Sequence, residues 1–144
     1  MKLSPAFLRA SVFVDTSAFF ALADRTDRLH SQAVQFFESN ERLLVTSHFV
    51  AYETITLVRM RLGYEPAVKM GEMLLEQGAI PLVRVTAVDE RKAWKLFKGY
   101  SDKRFSFVDC SSFVLMRRLG IRTAFAFDQD FRQFGRWVVY PRSD

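Results

Sequence analysis

The sequence is almost free of cysteine and contains no long hydrophobic run. Cys110 is the one cysteine among 144 residues, which excludes an internal disulfide framework and any cysteine-rich zinc site. No segment reaches the roughly 18 consecutive apolar residues that a membrane-spanning helix needs. Linkers rich in glycine, serine or proline, low-complexity tracts and fixed-period repeats are missing as well. These absences favour a single cytoplasmic domain over residues 1–144.

The residues that are abundant are apolar, aromatic and basic. Hydrophobic residues make up 49% of the chain and include 15 phenylalanines, enough to bury a core without disulfide or metal support. The 21 Lys and Arg residues outnumber the 16 Asp and Glu residues, so the formal charge is +5. Fifteen of the basic residues are arginine, whose planar fork suits phosphate. The composition permits a polyanionic partner, although a solvated basic surface explains it equally well.

Short β-branched and aromatic runs alternate with segments of helical spacing. The strands are predicted at residues 11–15, 42–46, 80–85, 121–127 and 136–140, and the helices at residues 19–23 (capped by Thr16 or Ser17), 27–39, 47–62, 66–78, 86–98 and 106–120. Such alternation predicts an α/β fold with a mainly parallel sheet covered by helices on both faces. Ligands of open parallel sheets bind beyond the carboxyl ends of the strands. Acids that directly follow strands are therefore candidate functional residues.

Two aspartates occupy that position. Asp15 ends the first predicted strand and Asp128 ends the fourth. The structural alternatives are a helix N-cap for Asp15 and a turn residue for Asp128. Thr16 and Ser17 are equally good caps, which leaves Asp15 without an obvious local duty. Asp130 either joins the other acids or caps the turn that follows.

Two further acids lie on predicted helices. Glu53 shares a largely apolar helix face, where it is either a boundary residue whose carboxylate reaches water or a buried ligand that needs a cation. Asp109 follows Ser106 by three residues, which is the spacing of a capping box. Each acid alone has a structural explanation. Together they could converge on one cleft, where their mutual repulsion would raise their pKa values unless a cation compensates.

Oxygen ligands without cysteine or clustered histidine favour hard ions, which here means Mg²⁺ or Mn²⁺. One or two such ions can position and deprotonate water and can neutralise charge on a scissile phosphate. The acidic constellation therefore predicts hydrolysis of phosphodiester bonds.

Four segments of the chain, in this order and spacing, resemble the signature blocks of PIN-domain nucleases, and the likeness is greatest to the small VapC-like ribonuclease toxins of toxin–antitoxin systems. The blocks are Val14-Asp15-Thr16-Ser17-Ala18, Tyr52-Glu53-Thr54, Phe105 to Phe113 (FSFVDCSSF) and Ala126 to Phe131 (AFDQDF). The resemblance spans almost the whole chain, and the third and fourth blocks are the most specific.

The resemblance implies a three-layer α/β/α sandwich with a central, mainly parallel sheet of four to five strands, and a metal-dependent endoribonuclease activity. It assigns the catalytic and metal-binding positions, leaves the role of Asp130 open, and gives Thr16 or Ser17 the task of ordering a metal-bound water or phosphate. It also implies an RNA substrate, a cognate antitoxin and a homodimer. The assigned acids are Asp15, Glu53, Asp109 and Asp128.

Basic and apolar surface residues yield two weaker expectations. Basic residues after the first helix and in the loop 98–104 could line an RNA path, although a solvated charge run explains each of them; these residues are Arg25, Arg28, Lys103 and Arg104. Candidate dimer contacts, which are equally good core residues, are Met60, Met70, Met73 and Leu74.

Three other functions remain open at this point. A housekeeping RNA-processing nuclease would use the same acids. A non-catalytic RNA- or partner-binding module would leave those acids unexplained, because carboxylates without a metal repel phosphate. A receiver-like or phosphatase domain also places aspartates at strand ends. It usually requires a lysine after a later strand, and residues 128–131 (DQDF) offer none.

Overall fold

The computed structural model describes residues 3–142 and contains one five-stranded sheet. All strand pairs are parallel, and the strand order is β3-β2-β1-β4-β5. The strands are β1 (Val12–Val14), β2 (Leu44–Ser47), β3 (Leu82–Val83), β4 (Thr123–Phe125) and β5 (Val138–Tyr140). The helices are α1 (Pro5–Ala10), α2 (Thr16–Ala23), α3 (His30–Ser39), α4 (His48–Leu62), α5 (Tyr64–Gly71), α6 (Ala87–Gly99), α7 (Phe107–Leu119) and α8 (Asp130–Phe134). The predicted α/β fold with a parallel sheet is confirmed.

The direction of the chain connections sorts the helices into two layers. From β1 to β2 and on to β3 the chain moves toward one edge of the sheet, and from β3 it returns past β1 to β4. Because parallel crossovers are right-handed, this reversal places α2 to α5 on one face and α6 to α8 on the other. Strand order therefore switches between β1 and β4, where the ends of the two strands lie side by side.

The central strand β1 is made of residues that suit a fully buried position. Val12, Phe13 and Val14 all have no exposed side-chain surface, as expected for a parallel strand covered on both faces. Phenylalanines from several helices fill the adjacent space, and Phe13 stacks on Phe131 of α8. Most of the phenylalanines thus lie in the core or pack against it. They support the neighbouring strands β1 and β4.

The observed elements differ from the predicted ones mostly at their boundaries. Helix α1 was not predicted, although Ser4 caps it and Pro5 occupies its first position, a typical helix start. Helix α8 was also missed, since one and a half turns give little periodicity. The helix predicted from Pro66 begins at Tyr64 and continues as a π-helical turn over Glu72–Glu76. Strand β3 keeps two of the six predicted residues.

No helix within residues 3–142 combines the length and apolar character needed to cross a membrane.

Helices α6 and α7 are joined by a buried ion pair. Asp89 is 1% exposed; its carboxylate accepts hydrogen bonds of 2.9 Å from Nε and from Nη2 of Arg118. It also accepts from the backbone N–H of Thr86, which completes a capping box at the start of α6. Burial opposes ionisation of Asp89, but the bonds from Arg118 and Thr86 outweigh it and lower the pKa of the carboxyl group. A single side chain therefore starts one helix and holds a second against it.

We expect Asp89→Ala to lower the free energy of unfolding by roughly 1–3 kcal/mol, because it removes one of the two bonds of the capping box and unpairs Arg118. Urea unfolding monitored by circular dichroism measures the change. Asp102→Ala is the matched control, since Asp102 is 74% exposed and lies 4.0 Å from its partner Lys103; such surface pairs contribute about 0–1 kcal/mol. Equal losses in the two variants would contradict the role given to Asp89.

Candidate active site

The first acid of the site is set by the end of β1. Asp15 follows Val14 directly and is the N-cap of α2. Its Oδ2 accepts a 3.2 Å bond from the backbone N–H of Ser17 and a 2.8 Å bond from the Ser17 hydroxyl. The expectation that Thr16 or Ser17 caps this helix was wrong, because the strand delivers Asp15 to the cap position first. The cap also fixes the rotamer of a carboxylate that is 2% exposed.

The second acid is set by the start of α7. Asp109 is the third residue of that helix, and its Oδ2 accepts a 2.9 Å bond from the backbone N–H of Ser106. The Ser106 hydroxyl accepts from the Asp109 N–H in return at 2.9 Å, so the predicted capping box is confirmed. Only one carboxylate oxygen is used by the box. Asp109 is 6% exposed, and its second oxygen is available to the site.

The third acid follows β4. Asp128 accepts a 3.1 Å bond from the backbone N–H of Asp130, which closes the turn into α8. The neighbouring Phe127 N–H donates to the Ser17 hydroxyl at 2.9 Å. Ser17 therefore bridges the ends of β1 and β4 and donates to Asp15 at the same time. One hydroxyl group thus couples the positions of the two strand-end aspartates.

The three aspartates meet at the carboxyl edge of the sheet. Asp15, Asp109 and Asp128 each offer a carboxylate oxygen, and these three oxygens all lie within 4.8 Å of one another. Glu53 and Asp130 do not belong to this close group. Asp130 lies next to it, since its carboxylate adds to the negative potential on both Asp109 and Asp128.

Burial and mutual repulsion make ionisation of this cluster unfavourable. Desolvation first, and the charge of Asp128 next, raise the pKa of Asp15 well above its usual value. The same two causes, with Asp15 and Asp130 as the charged neighbours, raise the pKa of Asp109 to about 9. Burial and the Asp130 charge raise the pKa of Asp128. Such a group of carboxylates either retains protons near neutral pH or is neutralised by a cation.

Two buried hydroxyl groups, each close in the chain to an acid of the cluster, have no hydrogen-bond partner among residues 3–142. Thr16 follows Asp15, and Ser112 lies one turn after Asp109 on the same face of α7. The Oγ1 of Thr16 and the Oγ of Ser112 are buried and unpaired within that range. Buried hydroxyl groups are normally satisfied, so both are suited to an ordered water or a ligand. Sequence reasoning did not single out Ser112, although its spacing of three from Asp109 was a signal for a shared helix face.

Glu53 is not part of the close group formed by the three aspartates. It is half-buried on α4 and lines an apolar cavity with Phe49, Leu57, Met60 and Val108. Val108 precedes Asp109, so this cavity adjoins the start of α7. Glu53 thus lies beside the cluster, and its role as a metal ligand stays a prediction.

The basic residues expected to line an RNA path fall into two separate places. Arg25 and Arg28 are exposed beyond the end of α2. That helix starts at Asp15 and extends away from it for eight residues, which is about 12 Å. Lys103 and Arg104 are exposed in the loop that leads into α7, close in the chain to Asp109. Only the second pair lies near the start of an acid-bearing helix.

The single cysteine has no catalytic features. Cys110 has no exposed surface, and burial together with the neighbouring charge of Asp109 raises the pKa of its thiol to about 11. A buried, protonated thiol is a poor nucleophile. Cys110 therefore fills space in the core.

We expect Asp109→Asn to stabilise the metal-free protein at pH 8 by about 1–3 kcal/mol. The folded protein retains a proton on Asp109 up to about pH 9, whereas the unfolded chain releases it at about pH 3.9. The folded state then binds more protons in this window, so stability falls as the pH rises through it. Asparagine keeps the oxygen that accepts from Ser106. Denaturant unfolding in EDTA from pH 5 to 8 measures the effect, and equal pH slopes for wild type and variant would contradict it.

Comparison with known proteins identifies the family. A sequence model described as the PIN domain matches residues 12–136. The 23S rRNA-specific endonuclease VapC20 of Mycobacterium tuberculosis (strain ATCC 25618 / H37Rv) is 37% identical over 130 residues, which cover 90% of this chain and 98% of that protein. A VapC ribonuclease of Archaeoglobus fulgidus is 30% identical over 118 residues, which cover 78% of this chain and 74% of that protein.

A solved structure agrees with the sequence matches. The crystal structure of M. tuberculosis VapC20, described as a sarcin-ricin loop cleaving toxin, superposes with a TM-score of 0.83 at 37% identity and covers 90% of this chain and 99% of that chain. The predicted three-layer α/β/α fold and the predicted resemblance to VapC-like endoribonucleases are confirmed. With a family model over most of its length and two such relatives, this protein belongs to the PIN-domain family.

Proposed function

We propose that this protein is an endoribonuclease toxin that cuts the sarcin-ricin loop of 23S rRNA and uses a divalent cation held by Asp15, Asp109 and Asp128. The observation that carries the proposal is the convergence of three buried carboxylates within 4.8 Å. The substrate follows from the similarity to VapC20, which extends over 90% of the chain. A non-catalytic binding module is disfavoured, because it would keep a repulsive acidic cluster at the end of the sheet without any use for it.

The residues of the cluster fit a hard divalent cation. They offer carboxylate oxygens from three separate elements, with no sulfur and no imidazole in the close group, and such donors prefer Mg²⁺ or Mn²⁺. Their raised pKa values mean that the cation replaces protons that the folded protein would otherwise retain. A bound cation would lower the pKa of an attacking water and neutralise charge on the phosphate. Glu53 and Asp130 are the nearest candidates for additional ligands through water.

The residues around the acids orient them and bind water or phosphate. Ser17 uses its hydroxyl to hold Asp15 and the Phe127 backbone, so it orders the site without contacting the substrate. Thr16 has a buried hydroxyl that is unpaired within residues 3–142, and it is the better candidate for a contact to a phosphate oxygen or to water. The capping bonds at Asp15 and Asp109 keep both carboxylates in fixed rotamers. Preorganisation of this kind reduces the cost of forming the reactive arrangement.

We expect Asp15→Asn and Asp109→Asn each to reduce the rate of RNA cleavage by about 10²-fold or more while the protein stays folded. EDTA should abolish wild-type cleavage, and Mg²⁺ or Mn²⁺ should restore it. The measurement is cleavage of 23S rRNA and of a mixed RNA pool, with the cut sites mapped by primer extension. Asp102→Asn is the control, because Asp102 is exposed and lies outside the cluster.

Full activity in either cluster variant, or undiminished activity in EDTA, would contradict the metal-dependent mechanism. Cuts spread over the RNA pool without enrichment in the sarcin-ricin loop would contradict the substrate and leave the nuclease intact.

Toxins of toxin–antitoxin systems are paired with an inhibitor, and we propose that this protein has a cognate antitoxin. We also propose that it forms a homodimer. Of the four candidate dimer contacts, Met70 and Leu74 are buried in the core, whereas Met60 is 79% exposed. Met60 shares one exposed face of α4 with Tyr52, which is 50% exposed. Exposed apolar side chains of this size on one helix face favour a contact with a second protein surface.

We expect Met60→Glu to shift the protein from dimer to monomer, because a charge at the centre of an apolar contact is costly to bury. Sedimentation velocity measures the change. Val88→Glu serves as the control for an added charge, because Val88 is 49% exposed on α6, in the other helix layer. A wild-type protein that is monomeric at high concentration would overturn the dimer, and cell growth that is not rescued by any co-expressed neighbouring gene would argue against the antitoxin.

A further inference from the structure

Whereas the acids lie at the carboxyl ends of the strands, a second charged feature lies at their amino ends. Here a cleft of about 340 Å³ lies between the end of α7 and the segments that precede β4 and β5. We call it the arginine cleft. Its lining residues are Met116, Arg117, Gly120, Ile121, Arg122, Arg136 and Trp137. Three cations from separate segments therefore surround one small space.

No arginine of the cleft forms an ion pair with an acidic side chain of residues 3–142. The ion pairs found within residues 3–142 join Asp89 to Arg118 and Asp102 to Lys103, so neither involves a cleft arginine. Arg117, Arg122 and Arg136 are all exposed. Like charges at such short range repel one another, and an anion bound among them would remove that cost.

An aromatic side chain, rather than a carboxylate, holds two of these arginines. The guanidinium carbons of Arg117 and Arg136 lie 5.8 Å and 6.0 Å from the centre of the Phe134 ring. That ring is itself held between Phe113 and Trp137 by stacking. Cation–π contacts position guanidinium groups without neutralising them. The arginines are therefore ordered and keep their full charge for a ligand.

Helix electrostatics accounts for only one of the three arginines. Arg117 lies in the last turn of α7, where the helix dipole favours a cation. Arg122 lies between Gly120, the C-cap of α7, and β4, and Arg136 lies between Gly135, the C-cap of α8, and β5; neither belongs to the last turn of a helix. Trp137 also lines the cleft, and its Nε1 is buried with no acceptor among residues 3–142. Buried indole N–H groups usually have a partner.

We propose that the arginine cleft binds a phosphate of the RNA backbone, away from the phosphate that is cut. This inference rests on the proposed function, because it assigns the cleft to the same RNA molecule. Arg117 follows Asp109 by eight residues along α7, a rise of about 12 Å. A single folded RNA can contact both places. The guanidinium groups match phosphate in shape and charge.

The surface next to the arginine cleft extends the same charge. A groove between α6 and α7 shares Arg117 with the cleft and carries the exposed residues Lys92 and Lys95 on its rim. The basic surface thus continues along the outer face of the α6–α7 layer. A run of cations over two helices fits an extended polyanion better than a single small anion. An acidic protein segment is the competing occupant, and the experiment separates it from RNA.

The test compares two double variants that remove the same charge. Arg122→Gln with Arg136→Gln removes two cations from the arginine cleft. Arg59→Gln with Arg61→Gln removes two cations from the last turn of α4, on the other face of the sheet, where Arg59 and Arg61 likewise lie over the aromatic rings of Tyr64 and Phe20. Both pairs are combined with Asp109→Asn, so that the RNA stays intact during binding. All proteins must match in elution volume and melting temperature.

Binding is measured by fluorescence anisotropy with a labelled hairpin RNA of the sarcin-ricin sequence and its flanking helix, from 0.05 to 0.3 M KCl. We expect the cleft variant to bind about 10-fold more weakly at 0.15 M salt. The slope of log K against log salt should become shallower by roughly 1.5, since each lost phosphate contact contributes about 0.7–0.9. In the cleavage-competent protein, KM for the hairpin should rise while kcat is unchanged. The α4 variant should show no comparable change.

Equal affinities and equal salt slopes for the two double variants would overturn the proposal. Weaker binding of an acidic protein partner by the cleft variant, with RNA affinity unchanged, would overturn it in favour of a protein site. If the wild type cuts no RNA, the proposed function fails; the binding comparison still decides separately whether the cleft contacts RNA.

Discussion

The repulsion among three buried carboxylates is the constraint that shapes the functional end of this protein. Asp15, Asp109 and Asp128 place oxygens within 4.8 Å of one another, and a fold could more easily keep such groups apart. They are held together because β1 and β4 end side by side and α7 begins next to these strand ends. The energy for this arrangement comes from the apolar core beneath it, where β1 is completely buried. A cation converts the repulsion into binding.

Each of these acids also has a local structural duty. Asp15 caps α2, Asp109 completes a capping box and Asp128 closes a turn. One carboxylate oxygen serves the backbone, and the other is left for the site. This sharing gives fixed orientations without extra residues. The same aspartate can therefore have a structural role and a functional role. A capping bond is no argument against a function in the site.

The sequence was sufficient for the order of strands and helices and for the three aspartates, because strand ends and capping boxes leave local signals. The position of Glu53 depends on the rotation of α4 about its axis, which no local pattern specifies. The Asp89–Arg118 pair and the arginine cleft depend on contacts between distant segments. Arg118 lies in the last turn of α7, where the helix dipole alone accounts for a cation, so its position in the sequence gives no sign of the ion pair. The short helices α1 and α8 escaped because few residues carry their periodicity.

The capping bonds have a consequence for how such a gene changes over generations. Asparagine offers the same acceptor oxygen as aspartate to the backbone N–H groups of Ser17 and Ser106, and one nucleotide separates the codons of the two amino acids. Under the proposed function, a single mutational step at either aspartate therefore removes the activity without producing a misfolded chain. Under the same proposal, the inactive form keeps the surfaces that would bind an antitoxin or a second subunit. Because the capping bonds survive the change to asparagine, a folded but inactive copy of the protein can be inherited.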